Sequence, residues 1–333
     1  MLNLSVKTLR ILSLTALVSF QSMAFDIIAH RGASGYLPEH TLASTAMAYA
    51  QQPDYIEQDL VMTSDGHLVV LHDIHLETVT NVETVFPNRH REDGRYYALD
   101  FTLAELRLLN VHERTDATGK QVYPNRYQGN GQFTIATFEE HISTILSLNA
   151  TTAGSVGLYA EIKSPAWHRA QGVDISKAVL EVLREHHLDD ASANIYIQCF
   201  DFEEIKRLRK SLGARVKLIQ LIAENSWQET PTDYDALKTE AGMQEVSRYV
   251  QGIGPWLGHV TRYEQNQPTT ELTDWVTAAQ KAGLLIHPYT FRTDALPPGI
   301  SASQLLMLMV KKWQFDGVFT DQVPPVKRFL QSQ

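Results

Sequence analysis

Short apolar runs alternate along the chain with stretches of helical period. Nine runs predict strands, at 27–29, 55–62, 68–71, 157–162, 195–200, 216–222, 250–253, 284–289 and 317–320. Seven stretches predict helices, at 42–51, 103–109, 138–148, 175–187, 202–212, 272–282 and 304–313. Strands that alternate with helices are typical of a mainly parallel sheet covered by helices.

The number of strands indicates an α/β fold, a TIM-type (β/α)8 barrel with one additional strand. The segment Met62-Thr63-Ser64-Asp65-Gly66 is too short for a crossover helix and predicts a hairpin turn between two of the runs. Capping boxes, formed by Thr102 with Glu105 and by Thr137 with Glu140, predict the starts of two helices. One repeat of the barrel is therefore expected to contain a pair of strands.

Two polar segments interrupt the alternation. Residues 74–134 carry many glycines and prolines around a single helical patch, and they follow the strand that ends at His72. A segment of this length inside a compact domain is usually functional, so we expect an inserted subdomain that faces the substrate. Residues 224–247 predict a smaller surface excursion.

The first 24 residues have the pattern of a secretory signal peptide. Lys7 and Arg10 precede an uncharged apolar run at 11–20, and Ser22-Met23-Ala24 offers a small-residue cleavage site. The run is shorter than the roughly 20 residues that span a bilayer, which argues against an anchor helix. We expect cleavage after Ala24, a single mature domain at 25–333, and a periplasmic location without a stable membrane anchor.

Composition narrows the class of function. The 333 residues are 44% hydrophobic and carry a formal net charge of −9, which becomes −11 once Lys7 and Arg10 are removed. This balance argues against a broad basic surface for nucleic acid. The single cysteine, Cys199, excludes an intrachain disulfide and lies in an apolar run, so we expect a buried residue.

Acidic residues lie within the predicted strands. Glu57 and Asp59 are two residues apart and therefore share one face, and Glu161 has the same relation to Lys163 in a later strand. Carboxylates buried side by side are costly unless a cation neutralises them, although a hydrogen-bonded barrel interior is the alternative. Three carboxylates predict a hard divalent cation, Ca²⁺ or Mg²⁺.

Two histidines also lie at strand ends, which meet at one mouth of a barrel. His30 follows the first strand and His72 follows the second arm of the hairpin, so they are candidates for an acid–base pair. Arg31 and Lys163 offer positive charge to an anionic substrate. Together these residues favour reaction at a phosphate ester.

The same residues resemble the glycerophosphodiester phosphodiesterase family, and closely its periplasmic bacterial branch. The resemblance rests on motifs in family order: His30-Arg31-Gly32, Leu37-Pro38-Glu39-His40-Thr41, Glu57-Gln58-Asp59, His72-Asp73 and Glu161-Ile162-Lys163. It extends to the end of the chain through Gln198-Cys199-Phe200, Gly252-Ile253-Gly254-Pro255, His287-Pro288-Tyr289-Thr290 and Gly317-Val318-Phe319-Thr320-Asp321.

The resemblance implies a TIM barrel that hydrolyses deacylated phospholipids such as glycerophosphocholine to glycerol 3-phosphate and an alcohol. By position, the implied ligands of the metal, usually Ca²⁺, are Glu57, Asp59 and Glu161, with Glu39 nearby or supporting the loop. Arg31 and Lys163 would hold the phosphate, His30 would act as the base, and His72 would protonate the leaving alcohol. His40 replaces the usual asparagine of the wider family, and we expect a structural role for it.

Other interpretations stay open at this stage. A related barrel phospholipase would form a cyclic phosphate from an intact lipid, and a non-catalytic surface binding protein would retain the barrel alone. Gln198 and Phe200 end a strand and are candidates for the pocket lining, with core packing as the alternative. Trp256, Tyr289 and Arg292 follow late strands and are candidates for the rim that contacts glycerol or the headgroup. The sequence leaves undecided the headgroup, the direct or cyclic route of attack, and whether the chain is a monomer or a homodimer.

Overall fold

The structure, a computed structural model, describes residues 25–264 and 267–333. It contains eleven strands: β1 (Asp26–Ala29), β2 (Tyr55–Met62), β3 (Leu68–Val70), β4 (Gly157–Ile162), β5 (Ile195–Cys199), β6 (Lys217–Ile222), β7 (Gly252–Pro255), β8 (Thr261–Glu264), β9 (Gln267–Leu272), β10 (Leu285–Ile286) and β11 (Gly317–Thr320). The predicted signal peptide, with its cleavage site after Ala24, lies outside the described residues.

The helices lie between most of these strands. They are α1 (Leu42–Ala50), α2 (Val82–Val85), α3 (Leu103–Leu106), α4 (Phe138–Thr152), α5 (Pro165–Ala170), α6 (Ile175–Glu185), α7 (Phe202–Lys210), α8 (Tyr234–Leu237), α9 (Glu240–Val246), α10 (Asp274–Lys281), α11 (Ala302–Met307) and α12 (Val323–Gln331). In the described part of the chain, no helix is long and apolar enough to cross a membrane.

Eight parallel strands form a nearly closed barrel, as the sequence predicts. Their order is β10-β7-β6-β5-β4-β2-β1-β11. The chain that follows β10 joins the two ends of this order, because Phe319 N donates to Pro288 O at 3.0 Å and Phe291 N donates to Phe319 O at 2.8 Å. The predicted TIM-type barrel is confirmed.

Alternation along each strand decides which side chains enter the barrel. On β2, Ile56 and Leu60 pack into the large apolar cluster between the strands and the surrounding helices. Tyr55 instead belongs to a small, largely aromatic cluster inside the barrel, which we call the interior group. Tyr159 of β4 and Tyr196 of β5 occupy the same interior group. Residues that share the parity of these tyrosines therefore point into the barrel, towards its mouth at the carboxyl ends.

The predicted hairpin and insertion are both present. β3 pairs antiparallel with β2, joining Leu60 to Val70 and Met62 to Leu68. Residues 74–134 follow β3 and include α2 and α3. They bury a separate small cluster, which includes Leu76, Phe101 and Leu106, against Val61 and Val69 of the hairpin. The insertion is thus a packed unit attached to the hairpin.

Several local predictions are confirmed, and one is wrong. The capping boxes of Thr102 and Thr137 are present, and Cys199 is fully buried. A helix was expected to begin at Leu272, but Leu272 ends β9 and the helix begins at Asp274 after Thr273. The β8–β9 hairpin carries exposed, alternating polar residues with little apolar signal, which explains why periodicity did not reveal it.

His287 is a fully buried ionisable residue of the barrel interior. Its Nδ1 lies 3.1 Å from the hydroxyl of Tyr159. Burial, helped by the charge of Lys217, lowers the pKa of His287 from 6.5 to about 3. Between pH 6.5 and 3, His287 is therefore protonated in the unfolded chain but not in the folded protein. The free energy of unfolding decreases as the pH falls from 6.5 towards 3.

We predict that His287→Gln makes the free energy of unfolding less dependent on pH. Between pH 6 and pH 4 the slope should decrease by about 1.4 kcal/mol per pH unit, the linkage of one proton. Urea unfolding in the presence of a chelator, repeated at several pH values, measures the slope for each protein. A loss of stability that is the same at every pH does not change the slope. The exposed His67, changed to Gln, should keep the wild-type slope. Equal slopes for H287Q and the wild type would contradict the prediction.

Candidate active site

A cavity of about 210 Å³ opens at the carboxyl ends of the barrel strands. Six of the seven residues predicted for the site line it: His30, Arg31, Glu57, Asp59, His72 and Glu161. The seventh, Lys163, is buried beside Glu161 but does not line the cavity. A larger cavity of about 680 Å³ lies near the amino ends of the strands and includes none of these residues.

The three carboxylates come from the adjacent strands β2 and β4, and two of them, Asp59 and Glu161, lie at the same height. Glu57 and Asp59 have the parity of Tyr55 on β2, and Glu161 has the parity of Tyr159 on β4. The register pairs Asp59 with Glu161, and it pairs Glu161 with Gln198 of β5. All three acidic residues are nearly inaccessible to solvent. Strand alternation and register therefore bring Asp59 and Glu161 side by side at the mouth, with Glu57 on the same face two residues earlier.

The carboxylates have too few positive partners for their number. Burial, together with the charge of Asp59, raises the pKa of Glu57 well above its usual range. Burial also raises the pKa of Glu161 to about 8, although Lys163 Nζ donates to Glu161 Oε1 at 2.6 Å. Burial opposes ionisation of Asp59 as well, but nearby His72 and His40 hold its pKa well below its usual range.

The oxygen atoms of this cluster fit a hard cation. Asp59 Oδ1 is buried and has no hydrogen-bond partner among the described residues. A divalent cation would satisfy such an atom and would remove the repulsion that raises the pKa of Glu57. The donor chemistry thus fits Ca²⁺ or Mg²⁺.

His40 belongs to this cluster more closely than the sequence suggests. His40, Glu57 and Asp59 each offer one potential ligand atom, and these atoms lie within 4.8 Å of one another. His40 Nε2 is 2.7 Å from Asp59 Oδ2. A possible metal-binding triad therefore includes His40, for which a structural role was expected, whereas the inclusion of Glu161 stays a prediction.

Each candidate catalytic histidine is bound to a carboxylate through Nδ1. His30 Nδ1 lies 2.6 Å from Asp321 Oδ1, and His72 Nδ1 lies 2.6 Å from Asp73 Oδ1. Burial opposes ionisation of Asp321 and Asp73, but hydrogen bonds with the histidines and the nearby arginines, Arg292 and Arg126 for Asp321 and Arg114 for Asp73, hold both pKa values below their usual range. An ionised carboxylate only accepts, so the shared proton lies on Nδ1 and Nε2 is left free to accept a proton.

Both imidazoles are neutral at neutral pH in the protein alone. Burial, with the charge of Arg31, lowers the pKa of His30 to about 4 and that of His72 to about 3. The carboxylates Asp321 and Asp73 oppose these shifts without cancelling them. The neutral state suits a general base directly, whereas a general acid needs an added negative charge beside it.

Arg31 and Lys163 are both held by carboxylates. Arg31 Nη1 lies 3.2 Å from Glu39, and Arg31 Nε, which is buried without a hydrogen-bond partner in the described structure, lies 3.6 Å from Asp59 Oδ2. Lys163 is paired with Glu161 and lies 3.7 Å from Glu229. Arg31 lines the cavity and Lys163 does not, and contact of either side chain with a phosphate stays a prediction.

The turn after β1 explains why glycine follows Arg31. Gly32 has φ of +81°, and a Cβ at this position would lie 2.6 Å from Ser44 Oγ. Arg31 itself has φ of +56°, and its N–H donates to Glu57 Oε2 at 2.6 Å. A left-handed conformation is uncommon for arginine and is typical of functional sites.

Aromatic residues form one wall of the cavity. The residues predicted to line the pocket, Gln198, Phe200, Trp256, Tyr289 and Arg292, all do so. Trp227 also lines it and contacts Trp256, with 5.5 Å between ring centroids. Trp227 was missed because it lies in the polar excursion 224–247, where a single aromatic residue gives no periodic signal.

Sequence reasoning also missed the residues that hold the histidines. Asp321 ends the last motif of the resemblance, and Asp73 follows His72 directly. Both residues therefore belong to the quoted motifs, but the sequence assigned neither of them a role. Their partners Arg126 and Arg114 lie within the insertion. The polar composition of that segment does not indicate which of its arginines bind the carboxylates at the barrel mouth.

Comparisons with known proteins identify the family of the chain. Residues 30–324 match the model of the glycerophosphoryl diester phosphodiesterase family. A glycerophosphodiester phosphodiesterase of Haemophilus influenzae is 43% identical over 315 residues, covering 89% of this chain and 86% of the relative. One of Treponema pallidum is 34% identical, covering 89% of this chain and 88% of the relative.

Solved structures share the fold at low sequence identity. An Oleispira antarctica phosphodiesterase, solved with the product sn-glycerol-3-phosphate, has a TM-score of 0.61 at 20% identity and covers 93% of this chain and 98% of its own. A glycerophosphodiester phosphodiesterase from Agrobacterium tumefaciens has a TM-score of 0.58 at 18% identity, with 91% and 99% covered. The chain belongs to the glycerophosphoryl diester phosphodiesterase family, whose members are phosphoric diester hydrolases.

Proposed function

We propose that this protein hydrolyses glycerophosphodiesters to glycerol 3-phosphate and an alcohol, with a divalent cation and two catalytic histidines. The observation that carries the proposal is the arrangement of the mouth: two histidines, each with Nδ1 on a carboxylate, line one cavity with Arg31 and three buried acidic residues. The names of the relatives from H. influenzae and T. pallidum support the substrate class.

The two histidines have different tasks. His30 is neutral at neutral pH and accepts the proton of the attacking oxygen at Nε2. Its Nδ1 proton stays on the ring and donates a hydrogen bond to Asp321. His72 donates a proton to the departing alcohol. The pKa of His72, lowered to about 3 by burial in the free protein, has to rise when the phosphodiester anion binds beside it, and Asp73 acts in the same direction.

Positive groups hold the phosphate. Arg31, which lines the cavity, and Lys163, which is paired with Glu161, contribute positive charge. Glu57, Asp59 and Glu161 would hold the cation, most favourably Ca²⁺, with His40 hydrogen-bonded to Asp59. When bound, the cation supplies neutralisation of the negative charge on the phosphoryl oxygens.

We predict that His30→Ala or His72→Ala lowers kcat for glycerophosphocholine by about 10² to 10⁴-fold, the usual contribution of general acid–base catalysis. The fold should be retained, because Asp321 keeps Arg126 and Arg292 as partners and Asp73 keeps Arg114. Phosphorus NMR of the reaction measures turnover, and circular dichroism checks the fold. His67→Ala, in the exposed hairpin turn, is the matched control. Near-full hydrolysis by H30A or H72A would refute that residue's role.

We predict that a chelator abolishes hydrolysis and that Ca²⁺ restores it, with Mg²⁺ tested in parallel. Ca²⁺ should also raise the Tm of the chelated protein, since a ligand that binds the folded state stabilises it. Asp59→Asn should remove this increase, because it takes away charge from the centre of the cluster. Glu185→Gln, on the exposed surface of α6, should leave the increase unchanged. Turnover that is insensitive to chelators, or an equal Tm increase in D59N, would contradict the metal assignment.

We also propose that the protein is exported to a bacterial periplasm, on the pattern of residues 1–24. When the whole chain is expressed in a Gram-negative host, the mature protein should begin at Phe25 and appear in the periplasmic fraction. Leu14→Arg places a charge in the apolar run and should leave the uncleaved precursor in the cytoplasm, whereas Leu14→Ile should not. N-terminal sequencing of each fraction measures the outcome, and an uncleaved wild-type chain would exclude the proposal.

A further inference from the structure

Both histidine–carboxylate pairs end on an arginine of the inserted segment 74–134. Arg126 Nη2 donates to Asp321 Oδ2 at 2.7 Å, on the carboxylate that binds His30. Arg114 Nη1 donates to Asp73 Oδ2 at 2.6 Å, on the carboxylate that binds His72. The two chains of contacts start from neighbouring strands, with Asp321 after β11, His30 after β1 and His72 after β3, and both reach the same segment.

The environment of each arginine fixes its direction. Arg126 is buried, and its Nε donates to Asp294 Oδ2 at 2.8 Å while its guanidinium lies 3.6 Å from the centroid of the Tyr123 ring. Arg114 has a second carboxylate, since its Nη2 donates to Glu39 Oε1 at 2.6 Å. Charged, forked guanidinium groups bound on several sides have little freedom to move.

The insertion is rigid enough to transmit this restraint. Its small apolar cluster packs on Val61 of β2 and Val69 of β3, the hairpin that also carries His72 at its end. Thr78 Oγ1 donates to Asp73 Oδ2 at 3.1 Å, so the start of the insertion fixes the same carboxylate as Arg114. Arg114 is therefore anchored to the hairpin whose histidine it restrains, whereas Arg126 belongs to the same insertion but restrains His30, at the end of β1.

We propose that the insertion is a positioning element for catalysis, in which Arg114 holds the Asp73–His72 pair and Arg126 holds the Asp321–His30 pair. This inference rests on the proposed two-histidine function. Each arginine acts through its carboxylate, which fixes the proton on Nδ1 and turns Nε2 towards the reacting groups. Neither arginine is itself assigned a contact with substrate.

The two pairs are not equally dependent on the insertion. Asp321 Oδ2 also accepts from Arg292 Nε at 2.7 Å, and Arg292 belongs to the barrel. Asp73 has Arg114 as its sole arginine among the described partners. Loss of Arg126 should therefore cost less than loss of Arg114.

The first test combines substitutions. Arg114→Met should lower kcat about 10- to 100-fold, the usual effect of removing an outer partner of a functional histidine, and Arg126→Met should lower it less. In the His72→Ala background, Arg114→Met should lower kcat by less than a further twofold. In the His30→Ala background, Arg126→Met should likewise lower kcat by less than a further twofold. The crossed combinations should multiply their losses. Full additivity within either pair would overturn the proposal.

The second test uses the leaving group. Glycerophosphocholine needs a proton on the departing alcohol, whereas the p-nitrophenyl ester of glycerol 3-phosphate releases a stable phenolate. His72→Ala and Arg114→Met should therefore be impaired mainly on the choline ester, and His30→Ala and Arg126→Met on both esters. If H72A itself lacks this difference, its acid role in the proposed function fails. If H72A has the difference and R114M lacks it, the positioning proposal alone fails.

Control variants separate positioning from folding and from phosphate binding. Arg107 lies in the same insertion and forms an exposed ion pair with Glu140 of α4. Arg107→Met removes this pair and should leave kcat unchanged on both esters. Glu39→Gln removes the other partner of Arg114 and, through Arg31, should raise KM without a dependence on the leaving group. Arg114→Lys and Arg126→Lys keep the charge and should recover part of kcat. Loss of kcat in R107M as large as in R114M would contradict the proposal.

Discussion

The cost of burying like charges at the mouth of the barrel is the constraint on which the site depends. Asp59 and Glu161 lie side by side, and Glu57 lies two residues earlier on the same interior face, because strand alternation and register leave them no other face. Arg31 Nε lies 3.6 Å from Asp59 and Lys163 Nζ lies 2.6 Å from Glu161, so both cations lie against that negative charge. A barrel interior with an apolar layer below and acidic residues above concentrates the field where a phosphate ester with its metal would lie.

Much of this arrangement was readable from the sequence, because it follows from short-range rules. A period of two placed Glu57 with Asp59 and Glu161 with Lys163, and strand ends placed His30 and His72 together. The hairpin followed from a turn too short for a helix. These features depend on neighbouring residues along one strand, which the sequence states directly.

The parts that were missed depend on contacts between distant segments. His40 reached the cluster through a left-handed turn at φ of +61°, and Arg114 and Arg126 reached the histidines from a polar segment without periodicity. The β8–β9 hairpin was missed for the related reason that its residues are exposed and bury little apolar surface. Long-range polar contacts leave no regular pattern in a single sequence.

The orientation of His30 depends on a residue that is distant in the chain. The hydrogen bond between His30 and Asp321 joins residues 291 positions apart, and β1 pairs with β11 beside it. β11 and Asp321 come after every other strand of the barrel in the chain, so a partly synthesised chain lacks both the strand that pairs with β1 and the carboxylate that holds His30. The proposed base is therefore oriented only once the barrel closes.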